Sequence, residues 1–125
     1  MTMQSSIAAA RIGSPQQNAD GTNILEFRFG ADDPTFAGHF PNRPLLPGVF
    51  QLEMARAAAE CVLNCPLGVR EISKAKFQRP ILPDEIVQME LKLSEVDGAI
   101  QARANFSVKG QAAGETILLL CRNQD

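Results

Sequence analysis

The sequence predicts an α+β fold: a single domain, residues 1–125, in which one long helix packs against a mostly antiparallel sheet of about six strands. Three observations lead to it. Residues 49–64 contain no Pro or Gly and repeat apolar side chains at helical spacing. Four strand-like runs joined by short turns follow that helix, and another precedes it. A length of 125 residues suits one domain closed around one hydrophobic core, and no repeat, linker or low-complexity segment divides it.

The first strong strand is TNILEFRF, residues 22–29. Leu25, Phe27 and Phe29 recur there at period two, after the turn signal Asp20-Gly21, as in the second arm of a hairpin. A weaker strand is expected near residues 5–13. The segment 30–48 holds four prolines and three glycines and reads as a long shaped loop of the kind that usually carries function. Val49, Leu52, Ala55, Ala59 and Val62 then mark an amphipathic helix, opened by Pro47-Gly48, ended by Pro66 and about 24 Å long. Its Ala57-Ala58-Ala59 run keeps it thin enough for close wrapping by a sheet. Residues 69–77, 86–96, 99–109 and 115–121 supply the later strands, with Asp97-Gly98 as a hairpin turn. The last of them is apolar on both faces, which suits a place deep in the sheet or at a subunit contact. With no second helix expected to cover the other face, pairing of two subunits is the natural solution.

Composition excludes several functions. No apolar run approaches the roughly 20 residues of a membrane-spanning helix. A formal net charge of −2, with no Trp and no Tyr, argues against nucleic-acid binding. The three cysteines, Cys61, Cys65 and Cys121, read as reduced thiols, and the N-terminus lacks a secretion signal, so the expected location is the cytoplasm. Cys61 and Cys65 lack the further ligands a metal site needs, and neither a metal nor another cofactor is called for.

The chemistry concentrates in GHFPNRPLLPGVFQLEMA, residues 38–55. His39, the only histidine, can take up a proton near neutral pH and stands in a Pro- and Gly-rich loop that can fix its position. The run resembles the signature HFPxxPxxPGVxxxE of the hot-dog-fold 3-hydroxyacyl-[acyl-carrier-protein] dehydratases. It meets every fixed position, through His39, Phe40, Pro41, Pro44, Pro47, Gly48, Val49 and Glu53. The segment AKFQRPILPDE, residues 75–85, is similar to the family's F-x-R-P-x-x-P-G-D.

This resemblance implies a hot-dog fold and an enzyme that removes water from 3-hydroxyacyl thioesters to give trans-2-enoyl thioesters. His39 would take the C2 proton, Glu53 would manage the C3 hydroxyl, and the Gly48 N–H at the helix start would hold charge on the thioester oxygen. To serve as an acid Glu53 must keep its proton, which apolar burial favours and a helix N-terminus opposes. On residue type alone it would be a solvated residue paired loosely with Arg56. The implied partner is acyl carrier protein with its phosphopantetheine-linked acyl group, and the implied assembly is a homodimer, or dimers of dimers, in which histidine and acid meet across the interface. Phe36, Phe40, Val49 and Phe50 could line the acyl tunnel. Arg70, Lys74 and Lys76 share one parity of a strand and could dock an acidic carrier.

The sequence departs from the family pattern in three places, the last of which points to a specialised relative, of the aryl-polyene type, in place of the general fatty acid enzyme. Asn42 replaces a common glycine, Pro83-Asp84-Glu85 replaces PGD, and GADDPTFAGHF stands where a tyrosine-containing segment is usual. The competing readings are an acyl thioesterase, which does not explain the complete signature, and a non-catalytic acyl-binding subunit of a heterodimer, which would need neither His39 nor Glu53.

Overall fold

A computed structural model describes residues 2–36 and 45–122. In chain order the elements are α1 (Met3–Ala10), β1 (Arg11–Gln17), β2 (Asn23–Arg28), a short 3-10 turn (Pro34–Phe36), α2 (Val49–Leu63), β3 (Leu67–Phe77), β4 (Ile86–Val96), β5 (Ala99–Val108) and β6 (Gln111–Arg122). The six strands form one sheet in the order β1-β2-β4-β5-β6-β3, and every neighbouring pair is antiparallel. α2 lies across its concave face, which is the expected α+β architecture.

Period-two alternation decides which face is dry. Leu25 and Phe27 of β2, Val87, Met89 and Leu91 of β4, Ala102, Ala104 and Phe106 of β5, and Leu118 and Leu120 of β6 are all buried. Polar residues such as Glu26, Glu90, Lys92, Arg103 and Asn105 alternate with them on the exposed side. The hairpin turns use left-handed backbone: Asp97 and Gly98 have φ of 49° and 80°, and Lys109 and Gly110 have 52° and 79°.

Two expectations are corrected at the N-terminus. Residues 5–13 are not one strand, because Met3–Ala10 is helical and strand begins only at Arg11. Thr2 starts the helix with a reciprocal capping box. Its hydroxyl accepts the Ser5 N–H at 3.0 Å and Ser5 Oγ accepts the Thr2 N–H at 2.9 Å. A second helix therefore exists, and it buries Ile7 and Ala10 against α2 and β2.

The buried stripe of α2 is also rotated from the expected one. Phe50, Gln51, Met54, Ala55, Ala58 and Ala59 face the sheet, whereas Val49 is 53% exposed and Leu52 and Val62 are only partly covered. The alanines behave as expected, leaving room for β5 and β6 to approach the helix axis. Asn64 ends α2 in a left-handed conformation, its N–H donating to the Glu60 carbonyl.

β6 runs inside the sheet between β5 and β3, as its apolar character suggests, and β3 forms an edge. Val69 and Ile72 of β3 lie opposite the buried Leu120 and Leu118, so they share the concave face, yet they are 46% and 51% exposed. Phe77, at the end of the same strand, is 49% exposed. Among the described residues, one side of the fold thus carries an unpaired strand edge with uncovered apolar residues.

Candidate active site

His39 and Phe40 lie outside the described residues, so the site is built from its helical half. Gly48 is the N-cap of α2, with φ −57° and ψ −32°. A Cβ there would come within 2.8 Å of the Phe77 ring, so the helix start and the end of β3 meet only because position 48 has no side chain. The Phe50 N–H donates to the Pro47 carbonyl and the Gln51 N–H to the Gly48 carbonyl, in a tightened first turn. The Gly48 and Val49 N–H groups have no acceptor among the described residues. They form the anion-favouring end of a 15-residue helix.

Glu53 follows one turn later, with its side chain 12% exposed. It is not set in apolar surroundings. Arg56 Nε donates to both carboxylate oxygens at 3.0 Å, and Nη2 also contacts Oε1. The same guanidinium reaches the Leu67 carbonyl at 3.0 Å and Glu60 at 2.8 Å, and Glu60 in turn accepts the Leu67 N–H at 2.8 Å. The hydrogen bond to Glu53 holds the Arg56 guanidinium above its ordinary value, against the opposing effect of burial. The loose surface pairing read from residue type is thus a closed network that ties α2 to the start of β3 and fixes the direction of Glu53.

The other candidates are dispersed. Phe36 and Phe50 are core residues, Phe50 standing edge-on to Phe29 with ring centroids 5.9 Å apart. Val49 is exposed beside the β3 edge. Arg70, Lys74 and Lys76 do not share one row, because the pairing of β3 with β6 shifts between Val69 and Glu71 and again between Ile72 and Lys74. Beyond the second shift Lys74 and Lys76 share a face, and Lys74 pairs with Glu115 at 2.6 Å.

Two residues not proposed from the sequence belong to this region. Phe77 heads the second motif, which is the signal that could have found it. Arg79 donates to Glu85 at 2.9 Å, and Glu85 accepts the Leu82 N–H at 2.7 Å, bracing the segment that follows β3. The departure at Pro83-Asp84-Glu85 is absorbed locally, since Asp84 adopts φ 66° where the pattern has glycine.

Comparison with known proteins follows this geometry. The ApeI-like family model, described as ApeI dehydratase, matches residues 15–116. The chain belongs to the ApeI-like dehydratase family. Among solved structures, this ApeI-like chain is similar to the dehydratase heterocomplex ApeI:P from Xenorhabdus doucetiae. The TM-score is 0.75, with 27% identity over 90% of this chain and 96% of that one. It is also similar to 3-hydroxyacyl-[acyl-carrier-protein] dehydratases FabZ. The one from Natranaerobius thermophilus is 36% identical over 77 residues, 56% of this chain and about half, 54%, of that protein. The one from Desulforamulus reducens is 31% identical over 102 residues, 75% of this chain and 72% of that protein. No described helix of the ApeI-like chain is long and apolar enough to cross a membrane.

Proposed function

We propose that this chain dehydrates 3-hydroxyacyl thioesters carried on the phosphopantetheine arm of acyl carrier protein, as one half of a dimeric site, in an aryl-polyene type of pathway. The observation that carries the reading is the start of α2. N–H groups without an acceptor among the described residues stand at a glycine whose Cβ would meet the Phe77 ring, one turn before a held carboxylate, at the end of a motif that contains His39.

In the proposed reaction the thioester oxygen accepts hydrogen bonds at Gly48, where the helix dipole favours the negative charge that develops as His39 removes the C2 proton. The electron pair then forms the C2–C3 double bond and expels the C3 hydroxyl, which leaves as water with the proton that His39 took from C2. Glu53 accepts a hydrogen bond from that hydroxyl and so orients it toward the protonated His39, and Arg56 sets where the carboxylate points. Phe36, Phe40, Val49 and Phe50 remain candidates for the acyl path, Phe36 and Phe50 acting through the core behind it. Lys74 and Lys76, with Arg70 beyond the register shifts, supply cations for an acidic carrier.

The dimer follows from the open side of the fold. Val49, Glu53 and the edge strand β3 leave apolar surface and an unpaired ladder that a second copy would cover, bringing its own histidine loop to this Glu53. A second reading is favoured by one observation: with both Glu53 oxygens held by Arg56, the chain could serve as the non-catalytic subunit of a heterodimer.

The test is conversion of a carrier-linked 3-hydroxyacyl thioester to its trans-2-enoyl product by purified protein, beside His39→Ala and Glu53→Gln. Turnover by the wild type that is lost in both variants is expected. A folded wild-type dimer that turns over no chain length on either carrier protein or coenzyme A would overturn the reading in favour of the non-catalytic subunit.

A further inference from the structure

Away from Gly48 and Glu53, α1 and α2 frame a second cavity, of about 330 Å³. Small-molecule sites run from roughly 300 to 1000 Å³, so this one is large enough for a short-chain ligand. Ile7 and Ala8 of α1, Phe27 of β2 and Ala57 and Ala58 of α2 line it with apolar surface, and Ile7, Phe27 and Ala58 are fully buried beneath it. Arg11, at the start of β1, enters the same cavity. It is the cross-strand partner of Phe27, and paired residues share a face, so its side chain rises from the dry side of the sheet toward α2. There its Nη1 lies 2.7 Å from Cys61 Sγ. A thiol is a weak acceptor for a cation with five donors. Among the described residues Arg11 pairs with no carboxylate. Glu60, the one acid of the lining, is taken up by Arg56 at 2.8 Å and by the Leu67 N–H at 2.8 Å.

We infer that this cavity binds the anion of a medium-chain fatty acid, its tail on the apolar lining and its carboxylate on Arg11. Charge complementarity over an apolar floor selects that class of ligand. The tail takes its own surface and that of the lining out of water. The guanidinium donates two parallel N–H bonds to the carboxylate, a stronger contact than the one to sulfur that it replaces. A small anion matches Arg11 alone and a neutral alkane matches the floor alone, whereas a fatty acid anion matches both. The site shares no lining residue with Gly48 or Glu53 and does not rest on the dehydration reading.

Cys61 reports occupancy directly. A carboxylate on Arg11 covers the exposed thiol beside it, while Cys121, exposed on β6 next to Gly68, keeps its surroundings and serves as the internal reference. Alkylation of both thiols by iodoacetamide is followed by peptide mass spectrometry on the intact assembly, with octanoate, octan-1-ol or acetate present. Saturating octanoate should slow Cys61 at least about fivefold and leave Cys121 within about 1.5-fold. Octan-1-ol and acetate should each need at least about tenfold more for the same protection, and Arg11→Met should weaken octanoate by a similar factor. Ala8→Leu, which fills the cavity from an exposed helix position, carries the same expectation should Arg11→Met not fold. An unslowed Cys61, equal protection by octan-1-ol or by acetate, or protection that survives both substitutions overturns the site. Protection by phosphatidylglycerol vesicles but not by octanoate would assign the cavity to a lipid surface and overturn the fatty acid as its occupant.

Discussion

Replacing Arg56 with methionine tests the network on which the site's helical half depends. The substitution keeps an apolar stem and removes the group that engages Glu53, Glu60 and the Leu67 carbonyl. A fully exposed ion pair contributes about 0–1 kcal/mol, and breaking a fully buried one costs about 3–5 kcal/mol. Side-chain exposures of 12% for Glu53 and 17% for Arg56 place the central pair between those limits, while Glu60 at 30% contributes less. A loss of about 2 kcal/mol is therefore expected, a fall in Tm of about 6–10 °C for a domain of this size. Thermal unfolding at fixed protein concentration measures it, because any dimer makes Tm depend on concentration. The single variants Arg56→Met and Glu53→Gln and their combination complete a cycle, with a coupling of about 1–1.5 kcal/mol expected. A Tm for Arg56→Met within about 2 °C of wild type, or a coupling near zero, would refute the claim that Arg56 holds Glu53.

Gly48→Ala places a methyl group 2.8 Å from the Phe77 ring and should cost about 1–3 kcal/mol, with Phe77→Ala in the same chain recovering part of the loss; urea midpoints decide. Ile72→Asp sets a charge on the uncovered edge and should convert a sedimenting dimer to monomer, whereas an unchanged sedimentation coefficient would place the interface elsewhere. Asp33 supplies a pH dependence. Burial pushes its carboxyl up, but the Thr35 hydroxyl and N–H and the Ser6 hydroxyl outweigh that and hold it below 3.8. A depressed folded value means stabilisation that is present above the unfolded value and lost as pH falls through the folded one. Asp33→Asn should therefore lower the urea midpoint at pH 6, and by progressively less as the pH falls below 3.8.

Element type was legible wherever a local signal had no competitor. Asp97-Gly98 demands left-handed backbone, and the run from Val49 to Asn64 has no breaker, so both hairpin and helix follow from residues that interact within a few positions. The N-terminal helix was missed because its capping box uses Thr2 and Ser5, without the Glu or Gln that usually marks one, and its alanines suit several states. Parity failed along β3 because two register shifts are invisible in a list of residue types, which is why Arg70 parts from Lys74 and Lys76. At the site, Gly48 and Glu53 could be singled out by their resemblance to the dehydratase signature, but the strength of the Arg56 contact depends on the Leu67 carbonyl and Glu60, which only the packing of α2 on β3 brings within reach.

The two sides of α2 differ in a way that bears on the proposed reaction. The sheet-facing side is buried, with Gln51, Met54, Ala55 and Ala58 packed against the strands. The side that carries Val49, Glu53 and Arg56 faces the β3 edge, which a single chain leaves open to water. A carboxylate that must orient a departing hydroxyl toward its proton works best where bulk water is excluded. In one chain Glu53 is already only 12% exposed, but Val49 and the β3 edge beside it lie uncovered among the described residues. If a second subunit closes that side, association and chemistry become coupled through the same apolar strip, and the surface that looks least finished in the isolated chain is the one on which the proposed reaction depends.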